Sequence, residues 1–269
     1  MNSSLVLLER IGPAGWLTMN RPEKRNALSR AIVADLNSRL TEAVADPAIR
    51  VVILAANGPA FCAGLDLDET NETLSRPDAR ECIQQDARQL ADLYRALATC
   101  AKPTIAAVNG PAIGGGAGLV TACDLAIAAA EAKIGYPEVR RGIVPAIVTP
   151  LLLRVVAYRT AKYLFLTGNL VEAAEAVRLG LYNHVVPLAE LRPTVLRWAD
   201  SVAEGAPAAL ARTKDWLDRC AAAADLWTTS ADESAAARFT PECAEGLAAF
   251  REKREPNWMP KRTEAADQA

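Results

Sequence analysis

The chain has 269 residues, with 30 Lys plus Arg against 32 Asp plus Glu, one His, and 51% hydrophobic residues. That length allows one large or two small domains with a full apolar core and no need of disulfides. A formal net charge of −2 supplies no field for holding a phosphodiester backbone, which argues against nucleic acid as the main partner. Cys62, Cys82, Cys100, Cys123, Cys220 and Cys243 form no CxxC pair, and the sole histidine, His184, completes no metal cluster with them at a recognised spacing. They read as buried thiols of a reducing compartment. The apolar run at residues 5–8 is too short for a signal peptide, so a cytoplasmic protein without metal is expected.

In chain order, apolar runs of strand length fall at residues 4–8, 16–19, 51–55, 104–108 and 124–128. Residues 28–44 carry Ile32, Leu36, Leu40 and Val44 at a four-residue recurrence, which predicts a helix with Ser29 as its N-cap. The continuously apolar VVILAA and TIAAV predict strands covered on both faces of a sheet. Residues 103–123 carry no charge but are interrupted by Pro103, Asn109, Pro111 and five glycines, so they read as strand, loop and helix rather than a membrane span. After Pro187 the strand signals stop. Residues 189–202, 207–220 and 231–254 look helical, ended by Pro256 and Pro260, with a frayed tail from Lys261. A helical layer bearing Trp198, Trp216 and Trp227 needs the α/β body or a neighbouring subunit to pack against.

Three glycine-containing loops follow apolar strands, at residues 57–64, 109–118 and 135–142, where α/β sheets bind ligands. In the second, Gly114, Gly115 and Gly116 precede a short apolar helix predicted over residues 119–123. Adjacent glycines let backbone approach a ligand, and a helix start offers unpaired N–H groups. The dinucleotide fingerprint fails because its third glycine would fall on Leu119, and neither GxxxxGK[ST] nor GxSxG is present. Close helix packing is the bland alternative for the glycine triplet.

Read together, several segments resemble the enoyl-CoA hydratase/isomerase (crotonase) family: MNRPEKRNALS at residues 19–29, AFCAGLDL at 60–67, NGPAIGGGAGL at 109–119, CDLAIA at 123–128, GYPEVRRGIVP at 135–145, LTGNLVEAAEAVRLGLYNHVVP at 166–187 and EGLAAFREKREP at 245–256. The resemblance implies an α/β fold, a spiral of ββα repeats over residues 1–200 followed by a C-terminal helical trimerisation region over 201–269, assembled as a homotrimer or hexamer. It implies an acyl-CoA thioester as substrate, with coenzyme A part of that substrate and no separate cofactor. The thioester oxygen would lie between the backbone N–H groups of Leu65 and Gly115, with Gly114 beside them. Backbone groups of Ala63, Asp66 and Leu67 would receive the adenine. Lys24, Arg25 and, from a neighbouring copy, Lys253 are candidates for the phosphates, although each taken singly reads as a solvated surface charge.

Hydratases of this family carry two glutamates. Glu138 matches the second, whereas Gly118 stands at the first, a departure from the pattern. Water addition divides naturally between two carboxylates, while one is enough to move a proton between carbons of an acyl chain. The expectation is an enoyl-CoA hydratase-like enzyme, with a Δ3,Δ2-enoyl-CoA isomerase as the alternative that Gly118 favours and a non-catalytic acyl-CoA binder as a third reading. If the missing carboxylate were the only obstacle, Gly118→Glu would gain hydratase activity. Glu138 is the expected acid/base, its competing reading being an ion-pair partner for Arg140 or Arg141. Asp66, Asp68, Glu69 and Glu72 could supply a substitute acid, Tyr136 is expected in the acyl pocket or in core, and Asp124 and His184 read as structural.

Overall fold

The computed structural model describes residues 4–222 and 241–259. Nine strands are seen among them: β1 (Val6–Ile11), β2 (Ala14–Met19), β3 (Val51–Ala56), β4 (Thr104–Val108), β5 (Ala112–Ile113), β6 (Leu125–Ala129), β7 (Lys133–Gly135), β8 (Leu170–Glu172) and β9 (His184–Val186). A six-stranded sheet runs in the order β1-β2-β3-β4-β6-β9, and β5-β7-β8 form a smaller one. β1 is antiparallel to β2, and every other pair in the large sheet is parallel.

The large sheet is apolar on both faces, as the unbroken runs in β3 and β4 predict. Val52, Leu54, Ala106 and Val108 face one core, while Val51, Ile53, Ile105 and Ala107 face the other. The period-two alternation of a strand sends neighbours to opposite sides, so a fully apolar strand needs two cores. On the first side lie α1 (Arg30–Ala45), α3 (Ala79–Thr99) and α4 (Gly115–Ala122). On the second lies α8 (Leu188–Ala203), whose Leu191, Val195, Ala199 and Ala203 recur every four residues as one buried stripe. Between these come α2 (Leu67–Leu74), α5 (Thr149–Val155), α6 (Tyr158–Thr167) and α7 (Ala173–Leu179), and α9 (Pro207–Ala222) and α10 (Pro241–Glu252) follow. The α/β body therefore receives the first helix of the C-terminal run.

The chain winds as a spiral. Each turn gives a strand to the large sheet and then a short extended piece to a second stack, where Leu28 pairs with Leu65, Cys62 with Ala112, and Ala112 with Ile134. Helices then close the turns. These pairings place the segments after β2, β3, β4 and β6 side by side at the carboxyl edge of the large sheet.

Ser29 caps α1, its hydroxyl accepting from the Ile32 amide at 3.4 Å. Two boundaries differ from expectation. The helix after the glycine triplet starts at Gly115 rather than 119, because burial of the whole segment overrides the poor helix propensity of glycine. The last helix ends at Glu252, where Lys253 turns left-handed at φ 53, ahead of Pro256. Residues 231–240, Trp227, Pro260 and the tail from Lys261 lie outside the described residues. Among the described residues no helix is long and apolar enough to cross a membrane.

Asn26 ties the first turn to the second. It is fully buried at φ 54, accepts from the Arg21 amide at 2.9 Å, and donates to the carbonyls of Asn57 and Ala60 at 2.9 and 3.0 Å. Asn26→Ala leaves those backbone groups without partners, at about 1 kcal/mol for each bond or about 3 kcal/mol in all. Urea unfolding is expected to show a lower midpoint at unchanged slope.

Candidate active site

Three loops meet at one pocket of about 700 Å³, counting its open mouth, whose wall includes Ala63, Leu65, Leu67, Gly114, Gly115 and Glu138. Backbone bonds stitch them together. The Ile113 amide donates to the Cys62 carbonyl at 2.9 Å, joining the second loop to the first, and the Gly114 amide donates to Gly135 at 2.8 Å, joining it to the third. The first loop is also fastened to the segment before α1, with Leu28 N–H donating to Gly64 and Asp66 N–H donating to Leu28 at 2.8 and 3.2 Å.

Gly64 permits the contact. It sits at φ +88, and a Cβ there would lie 2.8 Å from the Ile113 carbonyl oxygen and 3.4 Å from the Gly115 nitrogen. Any side chain would push the loops apart. Leu65 and Gly115 line the pocket, and neither backbone amide has an acceptor among the described residues. Gly115 is the first residue of α4, so its N–H stands at the positive end of a helix. Two unpaired amides on adjacent loops suit an oxygen that acquires negative charge.

Glu138 lies in a 3-10 turn, Pro137–Arg141, that follows β7 and ends at Gly142 in a left-handed conformation. Its Oε1 would stand 3.0 Å from a Cβ on Gly114, so the carboxyl spans the start of α4. Oε2 is buried with no hydrogen-bond partner among the described residues. The competing ion-pair reading does not describe this geometry: Arg140 bonds the Thr167 carbonyl and Asn169 Oδ1, and no salt bridge to Glu138 is seen among the described residues. Burial pushes the Glu138 carboxyl above its ordinary value, against smaller opposing effects of its own amide and of Arg141.

The other sequence candidates divide. Ala63 and Leu67 reach the pocket, but the Ala63 amide is already spent on the Arg25 carbonyl at 3.0 Å. Asp66 caps α2, accepting from the Asp68 and Glu69 amides and from Arg21 Nη1 at 2.6 Å. Burial alone would raise the Asp66 carboxyl, but Arg21 and the two amides outweigh it and hold it low. Lys24 pairs with Asp68 at 2.7 Å on the polar side of this loop, next to Arg25 at φ 50, and Lys253 is exposed after α10. Tyr136 does not line the pocket: it is fully buried, edge-on to Phe165, so it fills core. Gly118 is likewise buried behind the pocket wall. Asp124 accepts from Thr104 and pairs with Lys214 at 2.6 Å, and His184 stacks on Trp198. Among the described residues no cluster of metal-binding side chains is found.

The residue that the sequence reading missed is Tyr94. It is fully buried on α3, lines the pocket, and its hydroxyl donates to the Gly115 carbonyl at 2.6 Å. Burial holds its phenol protonated, well above the ordinary value. A Cβ on Gly118 would lie 2.7 Å from both Tyr94 Cζ and Oη and 2.6 Å from Val148 Cγ1. The only hint in the sequence is that Tyr94 falls in the apolar spacing of Leu90, Leu93 and Leu97.

Residues 14–261 match the family model described as enoyl-CoA hydratase/isomerase. A provisionally named enoyl-CoA hydratase of Thermus thermophilus is 40% identical across 94% of this chain and 100% of its own length. An enoyl-CoA isomerase/hydratase of Mycosarcoma maydis is 40% identical across 74% of each chain. The crystal structure of an enoyl-CoA hydratase/isomerase from Marinobacter aquaeolei superposes with a TM-score of 0.87 at 35% identity, over 96% of this chain and 100% of that one.

The packing around Gly118 sets the terms on which a glutamate could be placed there. Gly118→Glu is expected to force a side chain against Tyr94 and Val148, to cost about 1–3 kcal/mol in stability for the overpacking, and to gain no hydratase activity in a 2-enoyl-CoA assay. In a Tyr94→Ala background the same substitution is expected to cost at least about 1 kcal/mol less, a coupling that a double-mutant cycle by urea unfolding reads directly.

Proposed function

The chain belongs to the enoyl-CoA hydratase/isomerase family, and from that membership we propose that it is an enoyl-CoA hydratase-like enzyme with one carboxylate, Glu138, as its acid and base. The observation that carries the reading is that Leu65 and Gly115, whose amides have no acceptor among the described residues, and the half-buried Glu138, whose Oε2 has no partner among them, line a single pocket. A thioester carbonyl oxygen seated between Leu65 N–H and Gly115 N–H gains negative charge when a bond forms or breaks at the carbon chain. Preorganised donors of this kind typically contribute about 2.7–4 kcal/mol each to lowering a barrier.

One carboxylate suffices for hydration if it handles a single proton twice. Glu138 takes a proton from water as the water oxygen bonds the β-carbon, and electrons move onto the thioester oxygen as an enolate. The same proton then passes from Glu138 to the α-carbon. The remainder of the substrate follows the family resemblance: adenine against Ala63, Asp66 and Leu67, where the Ala63 carbonyl and the Leu67 amide have no hydrogen-bond partner among the described residues, and phosphates near Lys24, Arg25 and a neighbouring copy's Lys253. A trimeric or hexameric, cytoplasmic, cofactor-free enzyme belongs to the same proposal.

The filled space at Gly118 favours a second reading, isomerisation, in which Glu138 removes the α-proton of a 3-enoyl thioester and returns it to the γ-carbon. Purified protein offered 2-enoyl-CoA and 3-enoyl-CoA separates the two. Loss of the conjugated absorbance from the first means hydration, and its gain from the second means isomerisation. Binding without either leaves only a thioester binder.

Glu138→Gln is expected to lower kcat by about 10²–10⁴-fold with little change in KM. Wild-type kcat/KM should rise with pH through an apparent pKa above the ordinary glutamate value, a limb absent from the variant. The same shift bears on stability. A folded pKa above the unfolded one means that Glu138's contribution is fully present below the unfolded value and lost as pH rises through the folded one. Thermal unfolding of Glu138→Gln should therefore show a higher midpoint than wild type at neutral pH, and the gap should close at acidic pH.

A further inference from the structure

A second cavity, about 990 Å³ counting its mouth, adjoins the first, and Leu65, Leu90, Ile143 and Ile147 line both. Its remaining walls are largely aliphatic, from Leu28, Val33, Leu74, Ile83 and Ala87. The turn that holds Glu138 builds part of the passage: after Gly142 at φ +70 the chain carries Ile143 across the wall that the two cavities share. Arg30, Glu69 and Asp86 form the charged part of the second cavity.

We infer that this cavity takes the tail of the acyl group, and that the tail is an uncharged aliphatic chain of medium length rather than a short one or one ending in a carboxylate. The inference rests on the acyl-CoA reading above. Tail length follows from α3, which borders both cavities. Tyr94 stands at the thioester pocket, Leu90 at the shared wall and Asp86 in the charged part, each four residues from the next. Eight residues of helix span about 12 Å. At roughly 1.3 Å of advance per carbon in an extended chain, from a C–C bond of about 1.5 Å, that length holds about eight to ten carbons.

Charge decides the end of the tail. Asp86 grips Arg30 through two bonds of 2.6 Å, Thr73 Oγ1 takes Nη2 at 2.7 Å, and Glu69 stands 3.7 Å from Nη1 while also accepting from the Arg30 amide at 2.9 Å. One guanidinium thus faces two carboxylates and is already engaged by both. A carboxylate arriving on an acyl tail would meet net negative charge and no free donor cation.

The test is a series of 2-enoyl-CoA and 3-enoyl-CoA substrates from four to sixteen carbons, with ω-carboxyl analogues of matched length. Burial of each added methylene should raise kcat/KM about three- to fourfold up to about ten carbons, then no further. The ω-carboxyl analogues should be at least tenfold poorer. Ala87→Phe, which fills the cavity away from the thioester site, should abolish the preference for longer chains and spare the four-carbon substrate. Asp86→Asn, which frees Arg30, should narrow the discrimination against the carboxylate. A flat or falling response to chain length, or equal use of the ω-carboxyl series, would overturn the inference. Failure of every enoyl-CoA to turn over would instead sink the enzymatic reading, and the chain-length dependence of Kd for saturated acyl-CoAs, by calorimetry, would still decide what the cavity holds.

Discussion

The close passage of the first loop over the second is the constraint from which the site follows. Where Gly64 meets Ile113 and Gly115 there is room for backbone only, and the bonds from Ile113 to Cys62 and from Gly114 to Gly135 hold that passage from both sides. The two amides that remain without acceptors are a product of this stitching. In the Leu28–Leu65 bridge, Gly64 and Asp66 satisfy both backbone groups of Leu28, which turns the intervening Leu65 N–H away from that strand. At Gly115 the helix start has no preceding turn to bond.

Glu138 is placed where two effects oppose. The start of α4 favours a negative charge nearby by about 0.3–1 kcal/mol, or somewhat more when partly buried. Loss of water around the carboxyl acts the other way, against a smaller pull from Arg141, and the upward shift means that it wins. Arg140, two residues further on, is drawn off to Thr167 and Asn169.

Much of this was legible because it depends on local pattern. The unbroken apolarity of β3 and β4 required a core on each face, and Ser29 before a four-residue recurrence located the start of α1. The start of α4 was not legible, since glycine propensity argues against a helix that only burial supports. For Tyr136 the sequence leaves pocket and core both open; the chain passes from strand to 3-10 turn at Pro137, between it and Glu138, and the ring ends in core. Gly118 was read as a missing acid. Its physical meaning came from Tyr94, on a different helix, whose ring occupies the volume, and no local signal in the sequence links the two.

That ring changes how the departure at Gly118 is understood. A glycine alone would leave a hole that a single substitution could refill. Here the space belongs to a phenol that also holds the Gly115 carbonyl, the back of the same peptide turn whose amide faces the pocket. Restoring a carboxylate would displace the group that steadies α4 at its first residue, so the absence of the acid and the position of the amide are one packing solution. Because α3 supplies this phenol, the shared wall at Leu90 and the charge at Asp86, the helix that excludes the second acid also borders the space behind the pocket. Changes of chemistry and of substrate at this site are therefore coupled through α3, while the loops that form the paired amides can stay as they are.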